Sequence, residues 1–380
     1  GKRRVEAVGE VSWTVLSARW YADHPPLPER VGAALVRRVP LGVIAVVTPW
    51  NVPLLGAAWK WLPALMAGNT LVWKASELTP AVSLATSRLL AEAGLPFGVC
   101  ELVLGDGRAG QSLVADDRIG AVHFTGSTRT GRAIAVAVAS RLIPVALELG
   151  GLNPVLVFDD ADLDLAASAV VEAATAINGQ KCTATRRVLV AERVAAPFTD
   201  ALADRMRALV VADPAEETTE LGPLVTPAAS RAAEEAVAGA SRRGARLVVR
   251  SSDGPGAAYS PATLVADLPP ADPLASHELF APVVSLETFT ADDQAWERAN
   301  ATVYGLAASV HTRDPDRIRT APERLRAGVV NVNRRGDAVD LEPPFGGWGA
   351  SGNGHPEGGS YVYSALTAWQ ACYGVTGDPA

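Results

Sequence analysis

Of three cysteines, at positions 100, 182 and 372, one stands in surroundings suited to chemistry. Cys182 follows a long helical stretch in Asn178-Gly-Gln-Lys-Cys-Thr183, a small and polar loop, whereas Cys100 and Cys372 fit the description of buried small hydrophobes. A thiol in such a loop can serve as a covalent nucleophile. Glu148 opens Glu148-Leu-Gly-Gly151 at the end of an apolar run, and a carboxylate followed by two glycines can swing toward a cleft as a general base; a solvated glutamate before a glycine turn is the equal alternative. Phe124-Thr-Gly-Ser127 closes another run and opens a helix, so free N–H groups and the helix dipole could meet a phosphate there, although an ordinary strand-to-helix turn reads the same way. Lys74 and Glu77 end a further apolar run, either as ligand-binding groups at a sheet edge or as a plain surface pair.

The elements that position these residues alternate. Residues 42–48 read as a buried strand stopped by Pro49, 54–67 as a helix and 70–74 as a strand. A helix then starts at Thr79-Pro80, with Thr79 as cap, and runs to about residue 93. Strands near 101–104, 121–124 and 145–148, with helices near 109 and 131, complete a doubly wound sheet of the nucleotide-binding kind. After Gly150 the alternation restarts: a strand at 154–158, a helix at 162–177, and strands at 187–190, 283–289, 306–311 and 328–333, with helices near 204 and 233. The fold class is α/β, with a Rossmann-like cofactor domain over 1–149, a second α/β catalytic domain over 150–346 and a C-terminal return over 347–380. Two outlying segments, about 26–40 and 358–374, contain short runs able to pair as small oligomerisation strands.

Bulk properties narrow the function. With 380 residues, 48% of them hydrophobic, the chain can build two cores. A net charge of −7 without any basic block argues against nucleic acid and anionic membranes as partners. Small molecules and further copies of the chain are the expected partners. Apolar runs fall short of the ~20 residues of a spanning helix. Sparse cysteines and the lack of a signal-like start point to a reduced, cytoplasmic protein. Five histidines at no ligand-like spacing point to no metal.

Seven motifs occur in an order that resembles the aldehyde dehydrogenases: Pro49-Trp-Asn51, Lys74 with Ser76-Glu77, Phe124-Thr-Gly-Ser127, Glu148-Leu-Gly-Gly151, Gly179-Gln-Lys-Cys182, Glu278-Leu-Phe280 and Pro344-Phe-Gly-Gly347. The likeness runs from about residue 10 to 374. It implies that Cys182 attacks an aldehyde, that Asn51 and the Cys182 backbone N–H hold the oxyanion, and that Glu148 activates the water that hydrolyses the thioester. It implies that Lys60 assists proton transfer near the nucleophile. By the same resemblance the cofactor is NAD, with NADP as the alternative. Lys74 and Glu77 would lie around its adenosine ribose, Ser127 at the pyrophosphate, and Glu278 and Phe280 at the nicotinamide ribose and ring, with Trp50, Ser76 and Gly126 as further cofactor-binding residues. Glu77, accepting from a ribose 2′-hydroxyl, would repel a 2′-phosphate. The assembly implied is a homodimer or homotetramer.

The chain departs from the family pattern at Leu152, where Lys is usual, at Ala281, where Gly is usual, and at Gly349, where Lys is frequent. Residues 344–354 resemble relatives acting on aromatic aldehydes and residues 179–185 resemble those acting on semialdehydes, so the substrate stays open between the two. The family has a sizeable segment ahead of the position of Gly1, so the chain is either a fragment or a natural short form, and in the second case apolar surface is expected to be bare. Two other readings follow: a catalytically inactive, truncated cofactor-binding or scaffold relative, and an enzyme that passes the acyl group to coenzyme A, against which Glu148 counts.

Overall fold

The structure, a computed structural model, describes residues 1–269 and 271–375; the end of the C-terminal segment expected over 347–380 lies outside the described residues from 376 on. A 20-residue helix comes first, α1 (Arg4–Asp23), which the sequence did not announce. Its pattern explains why: Val8, Val11, Val15 and Leu16 are exposed, whereas polar Glu10 and Ser17 are buried, so no apolar stripe marks it. Strands β1 (Glu29–Val31) and β2 (Ala34–Pro40) follow, and then the alternating unit begins.

That unit holds β3 (Val43–Val47), β4 (Thr70–Lys74), β5 (Cys100–Val103), β6 (Ile119–Thr125) and β7 (Val145–Glu148), Val- and Ile-rich runs that pair in parallel in the order β5-β4-β3-β6-β7. Helices α2 (Leu55–Met66), α3 (Pro80–Glu92), α4 (Gly107–Ala115) and α5 (Thr128–Val138) make the crossovers. Strand order turns back between β3 and β6, which makes their carboxyl ends the switch point of the sheet. Thr79 does stand at the N-cap of α3, yet its hydroxyl makes no capping bond and is shut off from solvent without a partner among the described residues.

The second unit is a seven-stranded sheet. β8 (Asn153–Val157) and β9 (Thr185–Ala191) flank helix α6 (Leu163–Thr175), and β10 (Arg246–Arg250), β11 (Thr263–Ala266), β12 (Val283–Phe289), β13 (Ala307–His311) and β14 (Val329–Val332) complete the order β10-β11-β12-β9-β8-β13-β14. All pairs are parallel except β10 with β11. Every residue of β8 and β9 is buried, as expected for central strands covered on both faces.

By compactness the first unit comprises residues 8–149, 340–346 and 353 onward, and the second 1–7, 150–339 and 347–352. This division is more interleaved than 1–149, 150–346 and 347–380. Phe345 and Glu357 exchange backbone bonds of 2.7 and 2.6 Å, which holds 340–346 in the first unit. The last strand, β15 (Thr367–Tyr373), pairs antiparallel with β2, giving a separate sheet β1-β2-β15 from the two outlying segments. Trp369 and Tyr373 on β15 are exposed. Among the described residues no helix is long and apolar enough to cross a membrane.

Candidate active site

In the first unit a cavity of about 640 Å³ opens at the carboxyl ends of β3, β4 and β6. Trp50, Lys74, Ser76, Glu77, Gly126 and Ser127 all line it, so six of the expected cofactor residues share one cleft. Lys74 and Glu77 are ion-paired at 3.2 Å, with Glu77 half exposed. Its own backbone N–H, and then Lys74, hold the Glu77 carboxyl below the usual range, so it stays charged at neutral pH. Ser76 accepts from the Leu78 N–H at 3.3 Å and so shapes the turn between the pair. Ser127 caps α5, its hydroxyl accepting from Thr130 N–H at 3.3 Å.

Asn51 is buried in the turn that joins β3 to α2. No side chain of its own N-cap residue starts α2; the Glu10 carboxylate instead accepts from the N–H groups of Leu54 and Leu55 at 2.8 and 3.0 Å. This fixes the helix that carries Lys60, a fully buried lysine ion-paired with Glu357. Glu148, at the end of β7, is buried, and its Oε2 has no hydrogen-bond partner among the described residues. Burial raises its carboxyl well above the usual range, against the pull of Lys60. Gly346 of the Pro-Phe-Gly-Gly motif makes room for it, since a Cβ there would lie 2.7 Å from Glu148 Oε1. His123, on β6, is pushed down to about 3 by burial and then by Lys60, and so is neutral. Glu357 escaped the sequence reading. Half of the signal was there, because Glu357 in His355-Pro-Glu-Gly-Gly359 precedes two glycines as Glu148 does, but no apolar run leads to it.

In the second unit Cys182 sits on a heavily tied loop between α6 and β9. Ile177, Asn178 and Gly179 in succession take positive φ of 51°, 57° and 75°, costly for a β-branched residue and typical of functional loops. The neighbourhood enforces it. The Asn178 amide donates to carbonyls of Gly1 and Pro223 at 2.7 and 3.0 Å and accepts from Gly222 N–H at 2.7 Å. Gln180 accepts from Val225 N–H at 2.7 Å, and Asn153 donates to the Cys182 and Ala184 carbonyls, both at 2.8 Å. Lys181 is drawn away to Asp337 at 2.8 Å.

Glu278 and Phe280 precede β12, with Phe280 also left-handed at φ 55°. Burial pushes Glu278 up to about 7, opposed by Arg186 and the Gly151 N–H. Its Oε1 is shut off from solvent without a hydrogen-bond partner among the described residues. The double glycine after Glu148 therefore does something the sequence reading did not foresee: a Cβ on Gly150 would collide with the Glu278 carboxylate, 2.9 Å from its Cδ. Both units suit a dinucleotide, the first through a nucleotide-sized cleft with a charged rim, the second through an orphaned acceptor that a ribose hydroxyl would satisfy.

A doubly wound sheet with such a cleft at its switch point is the arrangement in which open α/β folds, the dinucleotide-binding ones among them, hold their ligands. A model of the aldehyde dehydrogenase family matches residues 1–372, and the chain belongs to that family: it is an NAD(P)-dependent enzyme that oxidises aldehydes. It is 37% identical to succinate-semialdehyde dehydrogenase of Paenarthrobacter nicotinovorans, over 97% of this chain and 84% of that one. It is 36% identical to aminoaldehyde dehydrogenase 2 of Malus domestica, over 93% and 71%. Lactaldehyde dehydrogenase from Escherichia coli superposes with a TM-score of 0.93 at 32% identity, covering 98% of this chain and 80% of the other. The structure of 3,6-anhydro-L-galactose dehydrogenase in complex with NAP gives 0.92 at 31%, covering 98% and 81%.

Proposed function

We propose that the chain converts its aldehyde to the carboxylic acid through a thioester on Cys182, hydrolysed with Glu148 as base, and that NAD is the preferred acceptor. The observation that carries this reading is the loop of Cys182, whose left-handed run and surrounding bonds hold a thiol in a defined place at a cost that packing alone gives no reason to bear.

The Cys182 thiolate attacks the aldehyde carbon; a C–S bond forms and the carbonyl pair moves onto oxygen. The Asn51 amide and the Cys182 backbone N–H donate to that oxyanion, each such donor being worth on the order of 10²–10³ in rate. Bound NAD(P) supplies the hydride acceptor that turns the adduct into a thioester. Water then adds to the thioester carbon while Glu148 takes its proton; the C–S bond breaks and the acid leaves. The Lys60–Glu357 pair offers that proton a way out of the buried surroundings of Glu148. Trp50, Lys74, Ser76 and Glu77 would hold the adenosine, Gly126 and Ser127 the pyrophosphate, and Glu278 and Phe280 the nicotinamide end. An ionised Glu77 supports NAD over NADP, since a 2′-phosphate would meet a second negative charge. The exposed Trp369 and Tyr373 of β15 support self-association into a homodimer or homotetramer.

The test is NADH appearance with a semialdehyde, an aminoaldehyde and benzaldehyde, in wild type and Cys182→Ala. Turnover of at least one that disappears in the variant is expected; equal turnover in the variant would overturn the assignment.

A further inference from the structure

Successive residues of a strand face opposite sides of its sheet, and the two arginines at the start of β9 end in opposite surroundings. Arg187 is neutralised by Glu287 at 2.8 Å and also donates to the Arg298 carbonyl at 2.8 Å. Arg186 is buried as deeply, yet its hydrogen bonds run to backbone carbonyls: Ala281 at 2.7 Å, Lys181 at 3.4 Å, and Gly179. Carbonyl dipoles satisfy donors without cancelling a full charge. The anionic groups within its field are Glu278 first and Cys182 second.

These acceptors come from two loops. Gly179 and Lys181 belong to the loop of Cys182; Ala281 ends the turn of Glu278. The loops already touch, because a Cβ on Gly179 would stand 2.7 Å from the Ala281 carbonyl oxygen. The Phe280 ring lies 6.0 Å from the guanidinium. One buried cation thus ties the nucleophile's loop to that of Glu278.

We propose that Arg186 is a positioning residue for Cys182: it locks the two loops in register and supplies the fixed positive charge that favours the thiolate. The inference rests on Cys182 being the nucleophile. A guanidinium keeps its proton throughout the accessible pH range, and the thiolate is the attacking form. Arg186 acts from β9; Glu278 acts against it from the turn before β12 once ionised; Lys181, on the same loop, is bound to Asp337.

The experiment is the pH dependence of iodoacetamide alkylation at Cys182, read by peptide mass mapping of the full chain without cofactor, in wild type, Arg186→Lys and Arg186→Gln. The wild-type midpoint is expected below the ordinary thiol value of about 8.5. Arg186→Gln should raise it by about one unit, slowing alkylation at neutral pH about tenfold, while Arg186→Lys keeps it near wild type. A purely structural role would lower the melting temperature of both variants and leave the midpoints together. An unmoved midpoint in folded Arg186→Gln, or a wild-type midpoint at or above the ordinary thiol value, overturns the proposal; the wild-type and Lys curves decide it should the Gln variant not fold. Aldehyde oxidation surviving in Cys182→Ala would instead sink the nucleophile assignment, a failure separate from any alkylation result.

Discussion

Gly150→Ala adds one methyl group where the Glu278 carboxylate lies. The new Cβ would sit 2.9 Å from Glu278 Cδ and overlap Oε2, whereas carbon atoms rest about 3.5–4.0 Å apart. The carboxylate must retreat by roughly an ångström, which breaks its bond from the Gly151 N–H and moves the orphaned Oε1 off its aim. A hydrogen bond to a charged group is worth about 1.5–3 kcal/mol. If Oε1 accepts from a cofactor hydroxyl, affinity should fall roughly 10- to 150-fold. Cofactor KM at saturating aldehyde and a fluorescence titration of cofactor binding both read this. Glu278→Gln, which keeps size and one acceptor, should fall less. Cofactor affinity within twofold of wild type, in a Gly150→Ala protein with an unchanged melting curve, would refute the reasoning.

Gly346→Ala crowds Glu148 Oε1 in the same manner, and is expected to slow acid release in single-turnover assays without weakening cofactor binding. Glu148→Gln should also change stability with pH. Burial raises the folded-state value of this carboxyl, so its stabilising contribution is complete below the unfolded value of about 4.3 and is lost as pH rises through the folded one. The melting temperature of Glu148→Gln relative to wild type should therefore climb from pH 5 to pH 9, and a constant gap contradicts the burial argument. Glu77→Gln removes a half-exposed charge and should raise the ratio of kcat/KM for NADP over NAD by roughly tenfold, about 1.4 kcal/mol of relieved repulsion.

What could be read from the sequence, and what could not, divides along physical lines. Most strands of both sheets stand out because their apolar runs are bounded by Pro49, Thr79-Pro80 and the glycine turns, and β4 and β12 begin and end where the pattern says, whereas β10 and β11 are not picked out by it. Helix α1 was invisible because two of its three buried residues, Glu10 and Ser17, are polar and act through hydrogen bonds, leaving Tyr21 alone to mark a core face. The six residues expected at the cofactor line one cleft because they sit at the ends of adjacent parallel strands, a consequence of topology that spacing already encodes. The partnership of Lys60 with Glu357, 297 positions apart, and of Gly150 with Glu278 depend on tertiary contact, which periodicity does not carry. Arg186 and Arg187 are indistinguishable as letters; strand alternation alone separates an arginine bonded to a carboxylate from a buried one bonded to backbone carbonyls.

The covalent route is tested most directly by intact-protein mass spectrometry of Glu148→Gln mixed with NAD and a semialdehyde for a few seconds, followed by peptide mapping. With water activation lost, hydrolysis should slow by about 10²–10⁴, and the protein should carry one acyl group, on Cys182, after releasing one equivalent of NADH. Steady turnover at the wild-type rate with no adduct, or an acyl group on any other residue, would contradict the account.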